Sequence, residues 1–143
     1  MSPIAVAEAF ERAPILAVRV GEGGDPAAII ARARDVLATM SDAERIAVLD
    51  SHPRIGATTG SSKRSEAEQG AGATDSVTLE ALMRLNAEYE RRFGFRFVVF
   101  VNGRSRADIV PVLKARLRRT RDLELATGIA EFLAIARDRL ERG

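Results

Sequence analysis

Cysteine is absent from this chain of 143 residues, and histidine occurs only once, as His52. The absence of cysteine excludes disulfide bonds and thiolate catalysis, and it favours a reducing compartment such as the cytoplasm. A single histidine without cysteine also argues against a structural zinc site, because such sites use four ligands, mostly cysteine and histidine. We find no basic and apolar leader and no apolar run near the ~20 residues of a membrane span, so we expect neither export nor membrane insertion.

Aromatic residues and net charge are also scarce. Aromatics make up 5% of the chain, and 22 basic against 20 acidic residues leave a net charge of +2. The densest group of arginines is followed at once by acids: Arg116, Arg118, Arg119 and Arg121, then Asp122 and Glu124. We interpret this group as a solvated helix end, because nucleic-acid binders concentrate positive charge and interleave aromatic side chains for base stacking. We therefore expect no nucleic-acid partner.

Helical periodicity dominates the rest of the sequence. Asp25 followed by Pro26 predicts a helix start, and Ser41 with Glu44 three residues later has the form of a capping box. Further helices are predicted from Pro3 to about Arg12 and over about 76–92, 106–118 and 122–142. We expect an all-α fold, with residues 1–143 forming a single domain, a bundle of about seven to nine helices with one short buried extended segment.

That extended segment is the run from Phe95 to Val101, the only strand-like stretch in the chain. A lone apolar run cannot form a sheet, and its backbone groups still need partners. We interpret it as a buried extended segment or a distorted helical turn lined by helices. A turn at Asn102-Gly103 should follow it.

His52 is the first candidate for chemistry, because imidazole is the only side chain that titrates near neutral pH without help. Pro53 disfavours helix at His52, so the histidine should lie where a short helix ends. The alternative is a helix-end histidine that only caps carbonyl groups.

Three further stretches could bind a polar ligand, and each has a structural alternative. Ser65 to Gln69 reads as a helix start, which attracts anions, although Ser65 and Glu68 also fit a capping box. Phe97 to Val101 could be core packing or an unpaired backbone that hydrogen-bonds a flat heterocycle. Arg137 and Arg139 could be exposed, or one could point inward as a fork for carboxylate or ureide oxygens.

Five blocks of these residues occur in one order: His52-Pro53; Ser65-x-x-Glu68-Gln69 with Gly70-Ala71-Gly72; Asn86-x-x-Tyr89 leading to Phe93-Gly94-Phe95-x-Phe97-Val98; Arg116-Leu117; and Ile135-Ala136-Arg137-x-Arg139-Leu140. In this order and spacing the chain resembles the 2-oxo-4-hydroxy-4-carboxy-5-ureidoimidazoline (OHCU) decarboxylase family, most strongly from Leu49 to Leu140.

The resemblance implies an all-helical carboxy-lyase, commonly a homodimer, that uses neither metal nor organic cofactor. It implies conversion of OHCU to (S)-allantoin and CO2 in urate degradation, in functional coupling with urate oxidase and hydroxyisourate hydrolase. His52 matches the catalytic histidine and Glu68 its carboxylate partner. The substrate-contacting positions are matched by Pro53, Ser65, Glu66, Ala67, Gln69, Phe97, Val98, Val99, Phe100, Val101 and Arg139.

Three positions depart from the family pattern. The block Ala13-Pro14-Ile15-Leu16 lacks the aromatic residue that is usual there, Arg54 stands where an acidic residue is frequent, and Arg96 stands where proline is frequent. These departures leave open the same fold acting on a related ureido-carboxylic acid. A non-catalytic module that binds a purine derivative is a second alternative, and the presence of His52 and Glu68 argues against it.

Overall fold

The computed structural model describes residues 9–10, 14–55 and 76–142. Within those ranges the regular structure is helical, without a β-strand, and the prediction of an all-α fold is confirmed. The described helices are α1 (Pro14–Val20), α2 (Pro26–Thr39), α3 (Asp42–Asp50), α4 (Ser76–Phe93), α5 (Arg106–Arg116) and α6 (Arg121–Arg142). None of these helices is both long and apolar enough to cross a lipid bilayer.

Two predicted helix starts are formed as expected. The side chain of Asp25 accepts a hydrogen bond from the Ala28 N–H at 2.8 Å, and Pro26 is the first residue of α2. Ser41 and Glu44 form a reciprocal capping box at the start of α3, with hydrogen bonds of 3.0 and 3.2 Å. Each cap satisfies N–H groups that have no partner within the helix.

The first part of the chain differs from expectation. Residues 14–20 form α1, a helix that the sequence analysis does not predict. Proline is equally suited to the first turn of a helix, where its missing N–H costs nothing. The helix predicted from Pro3 to Arg12 lies outside the described residues except for Ala9 and Phe10, which are both buried.

Helix α6 is the main packing partner in the described core. It contacts α2 and α3, while α4 packs on α5 and α1 packs on α2. Gly128 lets α3 approach α6 closely, because a Cβ atom at this position would lie 3.0 Å from Cδ1 of Leu49. Leu49 is fully buried and lies three residues before His52, so the end of α3 packs directly against α6 at this contact.

The residues from Phe95 to Val101, which were predicted as an extended segment, form neither a helix nor a hydrogen-bonded turn, and most of their side chains are buried. The alternative of a distorted helical turn is therefore wrong. Tyr89 of α4 packs its ring against Phe93, Phe95 and Phe97 at centroid distances of 4.6, 6.0 and 5.4 Å. Gly94, with φ +82°, turns the chain out of α4, and Asn102 and Gly103 turn it towards α5.

Candidate active site

His52 lies just beyond the end of α3. Its N–H donates to the carbonyl of Leu49 at 3.1 Å, so the backbone completes one more turn after Asp50. Pro53 then prevents the helix from continuing. The histidine is 6% exposed, and its ring meets the ring of Phe132 edge to face at a centroid distance of 6.4 Å. The structure therefore places a buried imidazole at a helix exit, with α6 beneath it.

The residues that follow His52 are tied to α4. Pro53 is buried, and Arg54 makes a two-point ion pair with Glu90, with N···O distances of 2.7 and 2.9 Å. The hydrogen bond to Glu90 raises the pKa of Arg54 above its ordinary value. The amide nitrogen of Asn86 donates to the carbonyl of Ile55 at 3.2 Å. These contacts hold the chain just after Pro53.

A second set of contacts joins the end of α3 to the extended segment. The backbone N–H of Arg96 donates to Oδ1 of Asp50 at 2.9 Å, and its guanidinium donates to the carbonyl of His52 at 3.1 Å. We refer to Asp50, Arg54, Glu90 and Arg96 as the outer bracket, because they lie at the surface around His52. Two of the three departures from the family pattern, Arg54 and Arg96, belong to it.

The extended segment has a backbone that is only partly hydrogen-bonded. Of its predicted contact residues, Phe97, Val98, Val99 and Val101 are buried and Phe100 is half-buried. Arg104 donates to the carbonyls of Phe100 and Val101 at 2.7 and 2.9 Å, and the Phe100 N–H reaches Glu131 at 3.4 Å. In the described part of the chain, no hydrogen bond reaches the N–H or carbonyl of Val99.

Such unpaired groups are uncommon in a buried backbone, where nearly every N–H and carbonyl has a partner. A polar ligand beside Val99 would supply both a donor and an acceptor. The backbone of Val99 therefore has a hydrogen-bond donor and an acceptor that the described residues do not use.

Beneath the segment lies an inner network that the sequence did not predict. We give this name to Tyr89, Arg116, Arg119 and Glu124. Oε1 of Glu124 accepts from the Tyr89 hydroxyl at 2.6 Å and from Nε of Arg116 at 2.7 Å. Oε2 lies 3.1 Å from Nη1 of Arg119, an ion-pair contact without hydrogen-bond geometry. Burial, and then the bond to Glu124, raise the pKa of Tyr89 well above its ordinary value.

Arg116 connects this network to the extended segment. Its Nη1 donates to the carbonyl of Val98 at 2.7 Å, and its guanidinium carbon lies 4.5 Å from the centroid of the Phe97 ring. Nη2 has no hydrogen-bond partner among the described residues, and the face of the Phe97 ring supplies a cation–π contact instead.

The interpretation of the arginine group as a solvated helix end is therefore wrong for Arg116 and for Glu124, which are both buried. It holds for Arg118, whose side chain is exposed. The spacing of eight residues between Arg116 and Glu124 spans a turn between two helices, and no helical or strand periodicity reports a contact across such a turn.

Helix α6 passes beneath several parts of the candidate site. Phe132 contacts the ring of His52, and the neighbouring Glu131 contacts the backbone of Phe100. Arg139 is seven residues beyond Phe132, which puts it on the same helix face about 10.5 Å further along. It is 2% exposed, and Nη1 donates to the carbonyl of Ala9 at 3.2 Å.

Arg137 is exposed and pairs with Glu141 on the same helix at 2.7 Å, so Arg139 is the inward member of the two. The remaining predicted site residues lie outside the described residues: Ser65, Glu66, Ala67, Glu68 and Gln69. Among the residues that are described, no three histidine, aspartate or glutamate side chains converge as metal ligands would.

Comparison with known proteins gives a consistent result along the chain. Residues 4–141 match the family model described as OHCU decarboxylase. The chain is 31% identical over 143 residues to the 2-oxo-4-hydroxy-4-carboxy-5-ureidoimidazoline decarboxylase of Haloferax volcanii, covering 95% of this chain and 84% of that protein. It is also 36% identical over 96 residues to the uric acid degradation bifunctional protein PucL of Bacillus subtilis (strain 168).

The match with PucL covers 65% of this chain but only 19% of that protein, and a second bifunctional relative from Bacillus sp. (strain TB-90) is covered to 22%. The chain thus spans about a fifth of the length of these two relatives.

The fold is also similar to solved structures. A crystal structure of OHCU decarboxylase in the presence of (S)-allantoin aligns with a TM-score of 0.78 at 22% identity, covering 97% of this chain and 96% of that one. A crystal structure of (S)-allantoin synthase aligns with a TM-score of 0.73 at 17% identity, covering 96% of this chain and 47% of that one. At these identities the likeness establishes a shared fold.

Proposed function

The chain belongs to the OHCU decarboxylase family, and from that premise we propose that it converts OHCU to (S)-allantoin and CO2 with His52 as the residue that moves the proton. The observation that carries this proposal is the position of His52. The imidazole lies at the end of α3 and is buried against Phe132 of α6, the helix that also contacts Phe100 and carries Arg139.

The substrate explains why no electron-accepting cofactor is required. Decarboxylation leaves an electron pair on carbon, and cofactors usually accept it. In OHCU the carbon that loses CO2 is adjacent to a ring C=N bond, so the pair moves into the ring and ends on that nitrogen. That nitrogen and the adjacent carbon then each gain a proton, and the hydroxyl loses its proton as the new carbonyl forms. The net reaction consumes one proton and releases CO2.

The protein must orient the scissile bond and deliver the proton to one face. We assign proton transfer to His52, since an imidazole both gives and takes protons near neutral pH. Burial against Phe132 keeps bulk water from competing as an unselective proton donor. Proton delivery to one face gives a single enantiomer, whereas uncatalysed decay gives the racemate.

The remaining site residues are proposed to bind and orient the substrate. The unpaired backbone at Val99 suits the amide-like edge of the ring, and Arg139 suits a carboxylate or ureide oxygen. We assign Glu68 the task of orienting the imidazole, with Pro53 and residues 65–69 contacting the substrate, on the strength of the family resemblance. Their part of the site lies outside the described residues.

The test is a coupled assay. Urate, urate oxidase and hydroxyisourate hydrolase generate OHCU in the cuvette, and circular dichroism follows the allantoin formed when this protein is added. We expect rapid formation of one enantiomer. Racemic allantoin at the uncatalysed rate would contradict the proposal, and would favour a binding module or a related ureido-carboxylic acid as substrate.

His52→Asn tests the assigned role directly. Asparagine keeps a polar side chain of similar reach but cannot transfer protons near neutral pH, so we expect kcat to fall by roughly 10²- to 10⁴-fold. Urea denaturation should show that the variant still folds. A folded His52→Asn protein with near-normal formation of (S)-allantoin would rule out His52 as the proton-transfer group. Glu68→Gln should show a smaller loss.

We also propose that the protein is a cytoplasmic homodimer that acts directly after urate oxidase and hydroxyisourate hydrolase, and that residues 1–143 form one domain. The family resemblance and the names of the bifunctional uric acid degradation relatives support this placement. Light scattering of the purified chain checks the dimer, and a mass equal to one chain would contradict it.

A further inference from the structure

Asp50 stands at an unfavourable position for an acid. It is the last residue of α3, where the helix dipole is negative and carboxylates are destabilising. Its Oδ1 accepts the backbone N–H of Arg96 at 2.9 Å, and its charge adds to the rise in the pKa of Arg54. An acid at this end of a helix is therefore compensated by partners from other parts of the chain.

Arg96 also forms a hydrogen bond with the backbone of His52. Its Nη1 donates to the carbonyl of His52 at 3.1 Å, while its own N–H is held by Asp50. Arg96 thus binds the helix end at two points, one on each side of Ser51. It also immediately precedes Phe97, where the predicted substrate-contacting backbone begins.

The backbone of His52 is consequently restrained from three directions. Its N–H is bonded to Leu49, Pro53 restricts its ψ angle, and its carbonyl is bonded to Arg96. The direction of a side chain from Cα depends on these backbone angles. A catalytic group that is displaced by about 1 Å loses much of its effect on rate, so these restraints bear on catalysis.

We propose that Arg96 is a positioning residue for His52: together with Asp50 it locks the histidine in register with the extended segment Phe97–Val101. This inference rests on the proposed function, since it concerns the same site. Arg96 acts through the backbone of His52 and need not touch the substrate.

The alternative is that Arg96 only stabilises the fold. Arg121 provides a matched comparison, because its Nε also donates to a backbone carbonyl, that of Phe93, at 3.1 Å. Its guanidinium lies 5.6 Å from the ring centroid of Phe95, so it flanks the same segment. It makes no contact with His52 among the described residues, and loss of its hydrogen bond should affect stability alone.

The experiment compares Arg96→Ala with Arg121→Ala in the full-length protein. Steady-state kinetics separates kcat from KM, and NMR of the imidazole signals reports the ring of His52 without ambiguity, since the chain has one histidine. We expect Arg96→Ala to lower kcat by roughly three- to tenfold, the equivalent of one hydrogen bond, with little change in KM. We expect its imidazole signals to shift, and Arg121→Ala to change neither quantity.

Two variants of Asp50 test the other half of the contact. Asp50→Ala removes the acceptor for the Arg96 N–H and should lower kcat, whereas Asp50→Asn retains an oxygen acceptor and should restore most of it. If Arg96→Ala does not fold, Arg96→Lys retains a donor and should show an intermediate loss.

Unchanged kcat and unchanged imidazole signals in Arg96→Ala would overturn the proposal, and so would equal losses in Arg96→Ala and Arg121→Ala. The two levels of inference can fail separately. If the wild-type protein does not convert OHCU, the proposed function fails, while the imidazole signals still decide whether Arg96 positions His52.

Discussion

The inner network and the outer bracket each include a contact with the segment from Phe95 to Val101, and they use the same chemical groups in different surroundings. Arg116 and Glu124 have side chains that are 7% and 0% exposed, whereas Arg54 and Glu90 are 48% and 26% exposed. Each pair has its shortest N···O distance at 2.7 Å. Geometry alone therefore does not distinguish them, and the difference lies in access to water.

Water access decides what happens when one partner is removed. At the surface, solvent replaces the lost partner, and a typical exposed pair contributes less than about 1 kcal/mol. In the interior, water does not replace the lost partner, and the desolvation cost of the remaining charge is no longer offset by an ion pair. The inner network should thus determine stability, while the outer bracket, which contacts the backbone of His52, should affect catalysis more than stability.

The largest effect is expected for Glu124→Gln. The substitution keeps the shape of the side chain but leaves Arg116 buried without its counter-charge, which should lower the free energy of unfolding by about 3–5 kcal/mol. Urea denaturation measures the change. Glu141→Gln is the control, since Glu141 lies on the same helix in an exposed pair and should change stability by less than about 0.5 kcal/mol. Similar values for both variants would contradict the expected difference between buried and exposed ion pairs.

A smaller effect is expected for Tyr89→Phe. Removing the hydroxyl deletes a hydrogen bond to a charged acceptor, which should cost about 1.5–3 kcal/mol of unfolding free energy. The ring contacts with Phe93 and Phe97 remain, so a much larger loss would indicate that the aromatic packing had also changed.

The pH dependence of stability should also differ between the wild type and Tyr89→Phe. Since the pKa of Tyr89 is raised in the folded protein, the stability that its neutral form contributes is complete below the unfolded value of about 10 and is lost as the pH rises above it. Wild-type protein should lose stability in this range more steeply than Tyr89→Phe. Urea denaturation across alkaline pH measures both, and parallel curves would contradict the prediction.

The smallest effect is expected for the exposed pair of Arg54 and Glu90. A double-mutant cycle with alanine at both positions should give a coupling energy of about 0.2–1 kcal/mol, falling as salt is added. A coupling above about 2 kcal/mol that persists in high salt would show that this pair behaves like the inner network.

Local signals in the sequence were sufficient for much of the fold. The caps at Asp25 and Ser41 act within a few residues, and so does the turn at Asn102-Gly103, so each is visible in a short stretch of sequence. The same applies to the exit of α3 at Pro53. Helix α1 was missed because proline suits a helix start as well as a helix end, and the sequence alone does not separate the two.

Only part of the candidate site could be predicted from local signals in the sequence. The placement of His52 at a helix exit follows from the proline after it, and the family resemblance pointed to Arg139, which is buried. The bond from Arg96 to His52 joins residues 44 positions apart, and no periodic pattern reports it. Arg96 is, moreover, a departure from the family pattern, so resemblance could not indicate it either.

The sequence by itself determined the class of fold, most helix boundaries in the described residues and the one histidine around which chemistry can be proposed. These depend on interactions between near neighbours, whose energies are set by residue type and spacing. Only the tertiary structure decided that Arg116 and Glu124 are buried and that Arg96 holds His52. Burial and pairing of charges depend on which distant segments exclude water from them, and that exclusion exists only once the helices have packed.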